Sequence, residues 1–170
     1  MPKTIQCTVG SLEAAFKSVE MYRAALEKKA HQLQNRIAEL IAEKAQDGFL
    51  GATIDVWIGW GGRQPSTGAE VEDRGKITLA IVRGPEVVFC EFGAGVHFNG
   101  SAGASPHPKG QELGFTIGSY GKGYGRLDSW SYRYEGGIAN TYGTPASMPL
   151  YKAFIAAQND VEKIAREVFA

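Results

Sequence analysis

Two cysteines, Cys7 and Cys90, are too few and too far apart for a disulfide framework, and without CxxC spacing they make no zinc knuckle. Free thiols in a reducing compartment are the expectation. Charge excess is missing too: 18 Lys and Arg balance 18 Asp and Glu, so no global field draws the chain to nucleic acid or to a membrane surface. There is no apolar run of spanning length, and the opening Met1-Pro2-Lys3-Thr4-Ile5-Gln6 is polar. Neither a membrane span nor a signal peptide is therefore expected, and the cytosol is the expected compartment.

The signatures of catalysis are equally scarce. Nucleophilic catalysis needs an activated serine or cysteine beside a base, yet no GxSxG or cysteine motif occurs, and Cys90 lies in an apolar segment that predicts inert packing. The best metal-ligand set, Cys90, Glu91, His97 and His107, is strung along glycine-rich sequence without HExxH or paired CxxC spacing. His31 is expected to face solvent. Glu91 with Asp128 or Glu135 would supply the two carboxylates of sugar hydrolysis, but nothing fixes their separation. The run Gly118-Ser119-Tyr120-Gly121-Lys122-Gly123-Tyr124-Gly125-Arg126 has the glycines of a phosphate loop but lacks GxxxxGK followed by Ser or Thr. Its interleaved Tyr and Lys suit a single nucleic-acid strand, but the neutral total charge favours a protein-contact loop. No catalytic residue, metal or cofactor is expected.

What the chain does have is helix periodicity, alternation and glycine. At 170 residues it is long enough for one domain with a core. Over 11–47, Leu12, Val19, Leu26, Leu33 and Leu40 recur every seven residues, with Phe16, Tyr22, Ala30, Ile37 and Ile41 on the same flank. This predicts one helix about 55 Å long, stopped at Gly48. Such a rod exceeds what a domain of this size covers. Arg23, Lys29, Arg36 and Glu43 interrupt the flank, favouring packing on the chain's own sheet over a free coiled coil.

Alternation then takes over, predicting a sheet within 49–92. Ala52, Ile54, Val56, Ile58 and Trp60 share one face of a first strand, and 63–75 reads as an exposed loop. Ile77, Leu79 and Ile81 mark a second strand, and Arg83-Gly84-Pro85-Glu86 turns into a third at 87–92. More than half of the 22 glycines fall in 93–143, a surface excursion with one strand at 127–134 carrying Trp130, Tyr132 and Tyr134. Core is the expected place of Trp130. A closing helix over 147–169, with Ser147 as N-cap and Pro149 in its first turn, buries Leu150, Phe154, Val161, Ile164 and Val168. The predicted fold is α+β: a twisted antiparallel sheet of about four strands flanked by the two helices.

Three blocks carry a resemblance: Val88-Phe89-Cys90-Glu91-Phe92-Gly93-Ala94-Gly95; Trp130 with its tyrosines and Gly136-Gly137; and Gly143-Thr144-Pro145-Ala146-Ser147-Met148-Pro149-Leu150-Tyr151-Lys152-Ala153. In order and spacing the chain resembles the tail-completion, or tail-component, family of lambda-like long-tailed phages, over about residues 11–169. The stretch from Gly100 to Arg126 departs from it, being longer and richer in glycine. The resemblance implies a virion protein made in the host cytoplasm, a ring of copies of itself, expected to be sixfold. That ring joins the tail tube or tail terminator to the head connector or stopper and lets double-stranded DNA pass. A terminator or stopper role is the neighbouring alternative, and a wall-degrading or metal-dependent enzyme using His97 and His107 the rival class. Within the first block Gly93 and Gly95 permit a sharp turn off the sheet, and Glu91 is read as capping backbone amides, meeting a neighbouring subunit or facing solvent. Subunit contacts are expected at Glu91, Phe92, Gly93, Gly95, Tyr120, Lys122, Tyr124, Tyr132, Tyr134 and Met148.

Overall fold

A computed structural model describes residues 8–95, 97–98, 105–115 and 129–170. The fold is α+β. Helix α1 (Val9–Leu50) leads to strands β1 (Gly68–Asp73) and β2 (Thr78–Arg83), then α2 (Val87–Phe92), β3 (Trp130–Tyr134), β4 (Gly137–Thr141) and α3 (Pro149–Phe169). Among the described residues the four strands form two separate antiparallel hairpins, β1–β2 and β3–β4, rather than one sheet.

α1 begins with a capping box: the Thr8 hydroxyl accepts from the Ser11 amide, and the Ser11 hydroxyl accepts from the Thr8 amide. The helix does not stop at Gly48. It continues to Leu50 and is capped at Gly51, because Gly48 serves a different need. A Cβ there would lie 2.8 Å from the Pro149 Cβ, so its missing side chain lets α3 approach α1. The two helices run antiparallel, with Gly48 beside Pro149 at one end and, toward the other, an Arg36–Glu167 ion pair of 2.7 Å and the Lys29 ammonium 6.0 Å from the Phe169 ring.

Small residues make this contact. Ala38, Ala42, Ala45 and Phe49 are buried on α1, and Pro149, Ala153, Ala157, Ile164 and Val168 on α3. The expected α3 stripe is thus partly corrected: Ile164 and Val168 face inward, but Phe154 is 53% exposed, and alanines hold the inward positions beside it. Close packing of two backbones favours the smaller side chain. The core joins Ala45, Phe49, Ala52, Ile54, Cys90 and Ala153, with Ile41, Val82, Val87 and Leu150 packed around them.

Three strand assignments change. Residues 52–60 form no strand: Ala52 and Ile54 are buried, but Asp55 has φ +46 and Gly59 φ +81, and Trp60 is 76% exposed. Positive φ ends the pleat after Ile54. The segment still lies beside β4, with Val56 donating to Gly143 O and Ile58 to Asn140 O. The stretch 87–92 is a helix, with the Cys90 amide donating to Glu86 O and the Gly93 amide to Phe89 O. Its β-branched residues suggested a strand, but helical turns bury Cys90, set the partly buried Val87 one turn before it and leave Val88 outside. The 63–75 loop, finally, contains β1.

β1 has little apolar alternation of its own, because it carries Glu70, Glu72 and Asp73 while its partner β2 supplies the apolar side chains. The hairpin rests on α1: the Ala69 amide donates to Gln46 at 2.8 Å and Thr78 to Asn35 at 2.6 Å. His31, expected in solvent, is about half exposed and meets Asp73 at 3.0 Å. The described residues of the 93–143 excursion hold two strands rather than one, since Gly137–Thr141 returns alongside β3. The Trp130 side chain and residues 127–128 lie outside the described part.

Two glycines of α1 separate the roles of backbone freedom and close approach. Gly48→Ala should lower the thermal midpoint, with a loss of about 1–3 kcal/mol from overpacking against Pro149. Gly10→Ala, with nothing within 4 Å, should raise stability by up to about 1 kcal/mol through helix propensity. Differential scanning calorimetry of both variants reads the opposite signs.

Candidate functional site: the Glu91 corner

The densest polar arrangement in the described chain sits where α2 ends and α3 begins. Pro149 opens α3 and has no N–H to satisfy, so the helix presents the amides of Leu150 and Tyr151 first. Both donate to one carboxylate: Leu150 N to Glu91 Oε2 at 2.9 Å and Tyr151 N to Glu91 Oε1 at 2.8 Å. The N-cap position itself is taken by Met148, which makes no side-chain cap. Glu91 replaces it from a distant place in sequence, bringing negative charge to the positive end of the α3 dipole.

The Glu91 side chain is only 6% exposed. Its further partner is His107, equally buried, whose Nε2 lies 3.1 Å from Oε1. The Lys109 amide donates to His107 Nδ1 at 3.0 Å, so Nδ1 is the acceptor and Nε2 carries the proton donated to Glu91. Around this pair the loop 105–115 closes on itself, with Ser105 N donating to Phe115 O and Phe115 N to Gly110 O. Three contacts latch it to the corner: the Ser105 hydroxyl donates to Phe92 O, the Phe115 ring stacks on Phe92 at 3.8 Å, and the His107 ring tilts against Phe92 at 4.5 Å.

The backbone turns needed here fall on particular residues. Gly93 has φ +78, and a Cβ there would lie 3.1 Å from both Ala146 Cβ and Phe98 O. Met148 holds φ +54, a left-handed conformation costly for a side-chain-bearing residue. It is held by Cys90 O, which accepts from the amides of Ser147 and Met148. Ala94 and Thr144 exchange two backbone bonds, and the Thr144 hydroxyl accepts from the Asp55 amide.

Among the expected contact residues, Glu91 and Gly93 are buried in their own chain. Phe92, Gly95, Tyr132 and Met148 are half-buried, and Tyr134 is exposed. Tyr120, Lys122 and Tyr124 lie outside the described residues, as does Asp128. Of the three readings of Glu91, the structure displays the capping of backbone amides. Of the four candidate ligands it brings Glu91 and His107 together, whereas the Cys90 thiol is buried in the core and His97 lies on the surface beside Phe98 and Tyr142. Glu135 is exposed. Among the described residues no group of three or more His, Cys, Asp or Glu is placed to hold a metal ion. Sequence reasoning missed Ser105 and Phe115, which carry no motif and reach the site only through loop closure.

Comparison with protein-family models, with curated proteins and with solved structures returned no match. No described helix is long and apolar enough to cross a membrane.

Removing the cap should cost more than removing a surface carboxylate. Glu91→Gln keeps the shape but turns an amide toward the α3 amides, and should lower stability by about 2–4 kcal/mol; Glu91→Ala should cost more. Urea titration gives the ranking, and a loss under about 0.5 kcal/mol for both would contradict the capping role.

Burial, with the carboxylates of Glu86 and Glu91 adding to it, pushes the Cys90 thiol from 9.0 up to about 11. The folded thiol keeps its proton where the unfolded one loses it, so this contribution to stability is whole below pH 9 and declines between about 9 and 11. In a Cys7→Ser background, Cys90 should stay closed to thiol reagents at pH 8 and react fully once the protein is unfolded. Stoichiometric reaction of the native protein within minutes would overturn this.

Proposed function

We propose that the chain is a structural assembly protein rather than an enzyme, and that its place is the head-to-tail junction of a long-tailed phage. The observation that carries this is the convergence of the three blocks that resemble the tail-completion family. Block one carries Glu91 and Ala94; block three starts at Gly143 and enters α3. They are joined by the Ala94–Thr144 bridge and by the two Glu91 bonds to α3. The strand carrying Trp130 pairs with β4, which runs directly into Gly143. The carboxylate and imidazole that an enzyme would use are spent on holding this corner together, which supports a scaffolding role.

In this reading copies of the chain close a ring, sixfold by the same resemblance, through unlike patches on adjacent subunits. The long helix α1 and the glycine-rich stretch are the two unlike patches of this reading, with Tyr132 and Tyr134 as further contact residues. The ring joins tail tube or terminator to connector or stopper, and its balanced charge suits a conduit that lets double-stranded DNA slide.

The test is electron microscopy of particles from a phage carrying an early stop codon in this gene. Filled heads beside separate, normal-length tails are expected. Overlong tails would move the protein to the terminator position, and emptied heads to the stopper. Normal virions that fail only at lysis or at infection would replace the structural reading with a wall-degrading one.

A further inference from the structure

α1 outruns the body it belongs to. α3 lies along it antiparallel and ends at Phe169, beside Lys29, and the β1–β2 hairpin reaches it no further out than His31. Residues 16–28 are exposed throughout. On this outer half, about 30 Å long, the apolar stripe continues in line with the one α3 covers. Leu12 is 43% exposed, Phe16 69%, Val19 65%, Tyr22 71% and Leu26 45%. Five large apolar side chains on one face of an otherwise polar, unsupported helix are costly to leave in water, and a free helix of this length is only marginally stable.

The spacing of the stripe says what fits it. About Val19 it is symmetric: Leu12 and Leu26 stand seven residues to either side, Phe16 and Tyr22 three. A helix of the same sequence laid antiparallel, with a two-fold axis at Val19, sets Leu12 against Leu26, Phe16 against Tyr22 and Val19 against itself. Each of the five residues of the stripe then meets another of the five or its own copy, while Met21, on the opposite side of the helix, stays outside the contact. Arg23, the one charged residue within the stripe, falls opposite Ala15 and pairs along its own helix with Glu27 at 2.9 Å. In the same register Val9 of the second copy falls opposite Lys29, so the incoming helix would stop beside Phe169, where α3 of the first copy ends. A parallel pairing would drive the two copies of α3 into the same space.

We propose that the outer half of α1 is a dimerisation arm, and that the free protein is an isologous dimer in which two arms pair antiparallel about Val19. The inference stands on the arm alone and does not rest on the phage reading. An isologous contact closes at two copies, so it differs from the contact between unlike patches that a ring needs. At about 100 Å² for each large side chain plus the flanks, the pair buries on the order of 1,000–1,400 Å² in all, the lower end of a specific interface. The dimer is accordingly of roughly micromolar affinity, dissociating on dilution.

Light scattering on the full chain should give a dimer at tens of micromolar that becomes monomeric when diluted. The double variant Phe16→Glu with Val19→Glu should be monomeric at every concentration, while Cys90 stays closed to thiol reagents, which reports that the body is still folded. Orientation is read by disulfide trapping in a Cys7→Ser background. A mixture of Leu12→Cys and Leu26→Cys chains should link to each other, and Leu12→Cys alone should not link to itself. A monomer at all concentrations, self-linking of Leu12→Cys, or an arm that links only within larger rings would each overturn the proposal. None of these outcomes alters what the stop-codon phage shows about the junction role.

Discussion

A buried carboxylate has to be answered by donors, and the corner of this protein is organised by that requirement. Glu91 would cost several kcal/mol to desolvate unpaired. It receives two amides from the first turn of α3 and the Nε2 proton of His107, together with the favourable field of the α3 N-terminus. In return three segments distant in sequence are fixed to one another: α2, the start of α3 and the loop 105–115. The α1–α3 pairing depends on this as well, because the Gly48–Pro149 approach lies beside the same turn.

The corner also carries an expense in backbone conformation. Met148 sits at positive φ, where an ordinary residue is destabilised by about 1–3 kcal/mol. Pro149 behind it and the Cys90 carbonyl ahead of it hold it there, the latter through bonds from Ser147 and Met148. Strain persists only where its surroundings over-determine it, and here those surroundings are the same contacts that place Glu91. The Cys90 side chain points the other way, into the core, where exclusion of water keeps the thiol protonated. One short helix thus serves the core with one residue and the polar corner with the next.

Outside the corner the molecule is divided between a covered and an uncovered half of α1. The covered half uses alanines and Gly48 to bring α3 close; the uncovered half displays leucine, phenylalanine, valine and tyrosine on one face. Small residues suit a contact made once, within a chain, where the linking turns hold the backbones near. Larger ones suit a contact that must also offset the entropy of bringing separate chains together.

The sequence by itself determined the two long helices, the β2 strand and the Trp130 strand, because periodicities of 3.6 and 2 are local properties of side-chain order. It also determined that the chain turns sharply at Gly93 and Gly95, and that Cys90 is buried. What it did not determine was pairing. The alternation in 52–60 is interrupted by a left-handed Asp55, the 87–92 run coils although its residues favour strands, and β1 is recognisable only beside its partner. The His107–Glu91 bond spans sixteen residues, with no motif linking the two. Such features depend on which surfaces meet across the fold, and that is set by the burial of the whole chain, where the gain of covering one face outweighs the preference of any single segment.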